Sequence, residues 1–502
     1  MKIALNANQM KRADITTQEK YKVPSCVLME RAAYSVYEVI RGRLDASLGP
    51  VVIACGTGNN GGDGLALARM LHQAGYDVRP FIVGNIDNCS EECARQLEIL
   101  KAYGVDAASD IPVDITPAAV VDSIFGTGLS RDITGSYAEK IEALNGMPGL
   151  KVAIDIPSGI SSDTGAVLGV AFKADITVTF AYAKCGHLVC PGRIYAGELI
   201  VSDIGIDGQS LEEGLLYASY PDKSDLLALP KRIADSNKGT YGKVLCVTGS
   251  RNMAGASLFA ARSAYMTGAG LVRIFAPEEN RVILQSSLPE AVLISYDTDS
   301  IRMKEKLENA LDDATVIAAG SGISMGEDAY SNLNTLLSLG RAPLVLDADG
   351  INLVSASEEL SHLLTWYPAK KVLTPHLKEA SRLLKCEVDD VKKDIIGSAK
   401  AISEEFRCEC VLKDAATVTA LSNGRVIINT SGNNSMAKGG SGDVLTGIIA
   451  GLISTGAEPS DAAWLGAYIH GLAGEEASSV LGLYSVLASD LIDAISAVLS
   501  EV

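Results

Sequence analysis

Short aliphatic runs alternate along this chain with longer stretches whose apolar residues recur at helical spacing. The runs Val51–Ala54, Val78–Val83, Val120–Ile124, Val152–Ile156 and Ile176–Phe180 predict strands separated by helices. A second series does the same: Val244–Thr248, Val272–Phe275, Thr315–Ala319, Pro343–Leu346, Lys371–Leu373 and Cys410–Leu412, ending in helices from Val444 onward. Between them, Gln209 to Leu226 mixes Glu, Gly, Tyr, Pro and Asp and reads as a linker. The pattern predicts an α/β protein of two three-layer αβα domains, residues 1–215 and 226–502. The length of 502 residues agrees, since single cores stop growing near about 250–300 residues.

Composition refines this picture in three places. Aromatic residues make up only 5% against 47% hydrophobic, so aliphatic side chains and alanine must fill the cores. The net charge of −18 argues against nucleic acid or an anionic membrane as partner. It leaves room for a small phosphorylated ligand held by backbone N–H groups and a few lysines. No leader is expected in the mixed polar residues through Lys20, and Val444–Ser454 is about half the ~20 apolar residues of a membrane span. The ten cysteines contain no Cys-x-x-Cys pair and are expected as free thiols in a reducing cytoplasm.

Open α/β sheets bind ligands just beyond the carboxyl ends of their strands. In the first half three such ends are polar. Gly56-Thr57-Gly58-Asn59-Asn60-Gly61-Gly62-Asp63-Gly64 follows a strand and precedes a helix. It contains Gly-x-Gly-x-x-Gly, but Asp77 precedes its strand and so does not suit a dinucleotide fingerprint. The glycines read either as a polar nest for a ligand or as a turn that lets helix and strand pack closely. Asp122 is followed by a second glycine loop from Gly126 to Asp132, and Asp155 by Ile156-Pro157-Ser158-Gly159.

The second half carries Lys438-Gly439-Gly440-Ser441-Gly442-Asp443 before an apolar helix. Consecutive N–H groups at a helix N-terminus form an anion hole for a transferred phosphoryl group. Asp443 is placed to accept the proton of an attacking hydroxyl. No Gly-x-x-x-x-Gly-Lys-Ser/Thr occurs, which excludes a P-loop.

These motifs carry a resemblance. Leu28-Met29-Glu30-Arg31-Ala32-Ala33, the Asn-Asn-Gly-Gly-Asp loop, Phe125-Gly126-Thr127-Gly128, Asp155 to Gly159 and Lys184 to His187 resemble the NAD(P)H-hydrate epimerase domain, a Rossmann-like fold. The resemblance implies that Asn59, Asn60, Gly61, Gly62, Asp63, Gly126, Thr127, Gly128, Leu129, Ser130, Arg131, Asp132 and Asp155 contact a hydrated nicotinamide cofactor. It also implies a potassium ion held by Asn60, Asp122 and Ser158. Asp155, with Lys184 as helper, is the candidate acid–base residue for inverting C6 of the hydrated ring.

Gly-Ser-Gly-Asp resembles the ribokinase-like superfamily. With Gly268-Ala269-Gly270, Asp347-Ala348-Asp349, Thr374-Pro375-His376 and Leu412-Lys413, the second half resembles its NAD(P)H-hydrate dehydratase members. That resemblance implies adenine-nucleotide contacts at Lys413, Asp414, Ala415, Ala416, Thr417 and Gly442, with Gly439, Gly440 and Ser441 in the anion hole. It implies hydrate contacts at Ala256, Gly322, His376 and Asp443, ADP or ATP as phosphoryl donor, and Mg²⁺ on the donor's phosphates. His376 can also be read as a structural turn residue. The chain departs from the family pattern at Gly320-Ser321-Gly322-Ile323-Ser324, at Asn237 and at Asp414. A homo-oligomer is expected from related domains. The alternative reading is a kinase for a vitamin-like alcohol with a non-catalytic first domain.

Overall fold

The computed structural model describes residues 1–500 except 113, 213, 214, 216, 298 and 299. The chain forms two compact units, Ile3–Tyr217 and Ala218–Val502, with Met1–Lys2 grouped with the second. The expected second domain ends on residues 501 and 502, outside the described residues. The expected linker holds a strand, Ala218–Tyr220, whose Ser219 pairs with Ile427. Residues 213, 214 and 216 of that stretch lie outside the described residues.

In the first unit a parallel sheet runs in the order Val78–Ile82, Val51–Cys55, Ala119–Ser123, Leu150–Ile154, Ile176–Phe180 and Glu198–Ser202. Alternate residues of Val51–Cys55 enter opposite cores: Val51, Ile53 and Cys55 pack with helices Ser25–Arg41 and Asn59–Gln73. Val52 and Ala54 pack with Ile141 and Leu144 of helix Ser136–Gly146. Period-2 burial on both faces makes the strand wholly apolar and the unit three-layered. Glu198–Ser202, not among the predicted strands although Leu199-Ile200-Val201 is an aliphatic run, forms the sheet edge with its side chains half-buried or exposed.

The second unit has the order Val292–Tyr296, Leu271–Pro277, Lys243–Val247, Val316–Ala319, Leu344–Leu346, Lys371–Leu373, Glu409–Leu412, Val418–Ala420, Val426–Ile428 and Ala218–Tyr220. It is parallel as far as Glu409–Leu412, where an antiparallel meander continues it. Helices Ala254–Met266, Ser441–Ser454, Pro459–Leu481 and Ala488–Ser500 bury one face around Ile448, Ile449 and Trp464. Helix Ser441–Ser454 is buried on all sides from Val444 to Ser454, which accounts for its uncharged sequence. Among the described residues no helix is long and apolar enough to cross a membrane. All ten cysteines are free.

Candidate active sites

In the first unit the strand following Val51–Cys55 in sequence, Val78–Ile82, lies on one side of it and Ala119–Ser123 on the other. Such a reversal opens a crevice at the strands' carboxyl ends. Glycines bring the two loops there together: a Cβ on Gly56 would lie 2.0 Å from the Ile124 carbonyl oxygen, and one on Gly61 would lie 1.8 Å from that of Gly56. Gly62 packs against Met29, so the packing reading of the loop holds for Gly56, Gly61 and Gly62, while Gly58 and Asn59 stand exposed. Helix Asn59–Gln73 starts without a side-chain cap, leaving its first N–H groups toward the crevice.

Asn60 lies against Gly126, and both polar atoms of its amide are buried without a partner. Asp122 is fully buried and accepts from the Ser158 amide and hydroxyl, each at 2.7 Å, and from the Ile124 amide at 3.1 Å. The Ser158 hydroxyl accepts in turn from the Phe125 amide at 2.8 Å. Burial pushes the Asp122 carboxyl up to about 6 against these hydrogen bonds. The orphaned Asn60 amide, the Asp122 carboxylate and the Ser158 hydroxyl are oxygen donors of the kind a hard monovalent cation takes. Gly126 and Thr127 are half-buried, Leu129 likewise, while Gly128, Ser130, Arg131 and Asp132 are exposed on the loop.

Asp155 and Lys184 are brought into contact. Lys184 is 1% exposed, and its Nζ lies 2.5 Å from Asp155 Oδ1 and 2.7 Å from Thr179 Oγ1. Pairing of Leu5 with Lys184 in register fixes the lysine backbone. Asp155 adopts φ +65°, a strained conformation for a non-glycine residue. Burial, the largest single influence, pushes its carboxyl up, but the Lys184 charge and hydrogen bond, joined by His187 and Thr179, together hold the group below its ordinary value. Asp63 faces the opposite balance: burial, then the charges of Asp155 and Asp14, raise it well above the carboxylate range. His187 is pushed down to about 3 by burial and Lys184, and its Nδ1 accepts from the Lys184 amide at 3.0 Å. Asp14 was not anticipated; it sits on helix Ala7–Glu19, where no motif marks it.

In the second unit the carboxyl ends of successive strands converge on the start of helix Ser441–Ser454. Asp347 follows Leu344–Leu346 and is 1% exposed; its Oδ1 accepts from Lys413 Nζ at 2.6 Å and Thr374 Oγ1 at 2.7 Å. A Cβ on Gly442 would lie 3.2 Å from Lys413 Nζ and 3.5 Å from Asp347 Oδ2. Gly440 takes φ +92° beneath Phe259, where any side chain would strike the ring, and Gly439 borders open space. No side chain caps the helix, so its first N–H groups and dipole face the Lys413 ammonium. Asp443 is pushed up to about 6 by burial and then by Asp347, while Ser321 and Lys413 oppose.

Gly322, at φ +65°, lies where a Cβ would be 2.7 Å from Ala256, so these two predicted contacts adjoin. His376 caps helix Leu377–Leu384: its Nδ1 accepts from the Lys378 and Glu379 amides at 3.1 and 3.2 Å, and the Glu379 side chain reaches back to the His376 amide. Half its side chain remains exposed. Asp414 and Ala415 are exposed, Ala416 is buried, and Thr417 is half-buried. His470, outside every motif, lies with Nε2 3.1 Å from Ser441 Oγ, and burial drives it down to about 4. A lone histidine inside a helical pattern gives no sequence signal.

One α/β unit holds a buried Lys–Asp pair and the other a Lys–Asp pair at an uncapped helix start, the plan of a two-domain enzyme. Residues 244–497 match the family model described as NAD(P)H-hydrate dehydratase, and residues 25–186 that of the YjeF-related protein N-terminus. The chain is 36% identical to the bifunctional NAD(P)H-hydrate repair enzyme Nnr of Moorella thermoacetica, over 97% of this chain and 95% of that one. It is 33% identical to the Escherichia coli protein of the same name, over 92% and 87%. The crystal structure of the ADP/ATP-dependent NAD(P)H-hydrate dehydratase from Bacillus subtilis, co-crystallised with ATP and Mg²⁺, superposes with TM-score 0.50 at 28% identity, covering 57% of this chain and 98% of that one. The chain belongs to the bifunctional NAD(P)H-hydrate repair enzyme family.

Proposed function

We propose that this chain restores hydrated NADH and NADPH: residues 1–215 interconvert the R and S hydrates at C6, and residues 226–502 dehydrate the S hydrate at the expense of ADP or ATP. The convergence of Asp443, Lys413 and Asp347 on an uncapped helix N-terminus carries the proposal. Hydroxide leaves poorly from C6. Asp443 takes the proton of the C6 hydroxyl, whose oxygen attacks the donor's terminal phosphorus as its bond to the bridging oxygen breaks, releasing AMP from ADP or ADP from ATP. The N–H groups of the Gly439–Gly442 turn and the Lys413 ammonium meet the charge that develops there. Phosphate then departs as the ring nitrogen pushes its lone pair toward C6, and loss of a proton from the neighbouring carbon restores the double bond.

In the first unit Asp155 and Lys184 form the acid–base pair, and Lys184 holds Asp155 ionised beside the reacting carbon. Loss and return of the hydroxyl through an iminium-like ring accounts for inversion. Asn60, Asp122 and Ser158 would hold K⁺, whose charge would order the loops around the hydrate; the unpartnered Asn60 amide supports this. Among the described residues no group of three His, Cys, Asp or Glu forms a metal cage, which suits Mg²⁺ arriving on the nucleotide's phosphates. Free thiols and the acidic surface fit the cytoplasm, with no nucleic-acid or membrane partner, and a homo-oligomer is the expected assembly.

Purified protein given mixed R and S NADH hydrates, Mg²⁺, K⁺ and either ADP or ATP should regenerate NADH from both isomers, followed by absorbance. Dependence on one nucleotide names the donor. A stable phosphorylated product without NADH would instead assign a small-molecule kinase.

A further inference from the structure

Two thiols lie in contact beneath the first unit's glycine loop, and the chemistry above uses neither. Cys89 and Cys93 are both free, with their sulfurs 3.7 Å apart. Ser90 caps helix Glu91–Ala102, its hydroxyl accepting from the Cys93 amide at 3.3 Å. That capped turn brings Cys89, just ahead of the helix, against Cys93 in the first helical turn.

The two differ in access. Cys89 is half-buried and follows the exposed residues 84–88, whereas Cys93 is fully buried. Burial, and then the neighbouring Cys89, push the Cys93 thiol up, so it keeps its proton at neutral pH. An oxidant therefore meets Cys89 first. Cys93 stands behind it as a resolving thiol, the arrangement of redox-sensing cysteines.

The pair is tied to the loop of candidate substrate contacts at three points. The Ser90 amide donates to the Thr57 carbonyl at 2.8 Å, and the Ser90 hydroxyl to Asn59 Oδ1 at 2.8 Å. The Cys93 thiol donates to the Gly56 carbonyl at 3.6 Å. The loop also rests on the cysteine backbone, since a Cβ on Gly62 would lie 3.4 Å from Cys93 Cα. A disulfide holds its sulfurs about 2.0 Å apart, so forming one draws the two residues together and consumes the S–H that Gly56 accepts. Ser90 lies inside the ring that the bond closes, and it passes the shift to Thr57 and Asn59.

We propose that Cys89 and Cys93 form a reversible disulfide when the protein meets a hydroperoxide, and that the bond slows the first unit's activity. The effect on activity rests on the epimerase reading of that unit; the bond does not. Cys89 sulfur attacks the terminal peroxide oxygen and the O–O bond breaks. Cys89 becomes a sulfenic acid, and its thiol proton leaves on the other oxygen as water, or as an alcohol from an organic hydroperoxide. Cys93 sulfur then attacks Cys89 sulfur; the S–O bond breaks, and the hydroxyl departs with the Cys93 proton as water. Each sulfur loses one electron and the peroxide takes up both. A dithiol returns the pair to thiols by exchange. In a reducing compartment such a bond is transient, the form in which intracellular disulfides act as sensors.

Full-length protein is treated with hydrogen peroxide, then divided between peptide mass mapping without reductant and assays of both activities. The tryptic peptide 70–95 contains these two cysteines and no other, and it should lose two hydrogens. Interconversion of the hydrates should slow about fivefold, the factor that one hydrogen bond is worth, and dithiothreitol should restore it. Dehydration of the S hydrate should change less than about twofold. Cys89→Ser should interconvert the hydrates at the wild-type rate before and after peroxide. Inhibition that persists in this variant overturns the proposal. So does a peptide that stays reduced, or one that gains oxygen without the cross-link. If reduced wild-type protein does not interconvert the hydrates, the epimerase reading fails, and the mass map alone decides the bond.

Discussion

Asp443 owes its basicity to where it stands. Burial and the neighbouring Asp347 charge raise it to about 6, so it binds a proton more tightly than a surface aspartate yet is ionised at neutral pH. A base must be ionised to act. Dehydration kcat/KM should therefore fall as pH drops through about 6, approaching about one decade per unit, in a pH–rate profile of the second activity. Asp443→Asn should lower dehydration by about 10²–10⁴-fold, the range for loss of a general base. Epimerisation should persist in the same sample; equal loss of both activities would sink the assignment. In the first unit, exchanging Na⁺ for K⁺ at constant ionic strength should raise the unfolding midpoint of wild-type protein, because a ligand of the native state stabilises it. Asp122→Asn should abolish that shift, and a variant that keeps it places the ion elsewhere.

At the scale of elements, the glycine-rich turns do two jobs that sequence merges into one motif. Gly61 has no room for a methyl group, 1.8 Å from the Gly56 carbonyl oxygen, whereas Gly58 faces open space. Gly61→Ala should cost about 1–3 kcal/mol by overpacking, read from denaturant midpoints, and should impair epimerisation while dehydration survives. Gly58→Ala, at the N-cap of helix Asn59–Gln73, should cost less, at most about 1 kcal/mol from the poorer cap. Strands show the same division between readable and hidden. Central strands bury both faces and announce themselves as aliphatic runs. Val292–Tyr296 and Glu198–Ser202, at sheet edges, hold short aliphatic runs too, but most of their side chains stay half-buried or exposed.

Across the whole molecule, each unit has its own core and its own candidate site, so the two activities should separate by mutation. Asp155→Asn should stop epimerisation and spare dehydration of the S hydrate. Mixing this protein with Asp443→Asn should restore full recovery of NADH from both isomers, since the hydrate diffuses between molecules. Recovery limited to the S isomer in the mixture would show that the two heads must share one chain.

The central strands of both sheets, the α/β class and the division into two units followed from the sequence by itself. Buried parallel strands are continuous aliphatic runs, which is why they could be read. Tertiary structure alone decided which polar residues meet. Asp155 and Lys184 are 29 residues apart, and Asp347 and Lys413 are 66 apart, yet each pair closes to within hydrogen-bond distance although neither stands on adjacent strands: Lys184 lies on a strand paired with Lys2–Leu5, and Lys371–Leu373 separates the strands that precede Asp347 and Lys413. Asp14 and His470 sit on helices whose spacing reads as ordinary packing, and only the fold aims them at a site. Burial itself is a tertiary quantity, and it is burial that moves Asp443, Asp122 and Asp63 away from the behaviour of an exposed carboxylate.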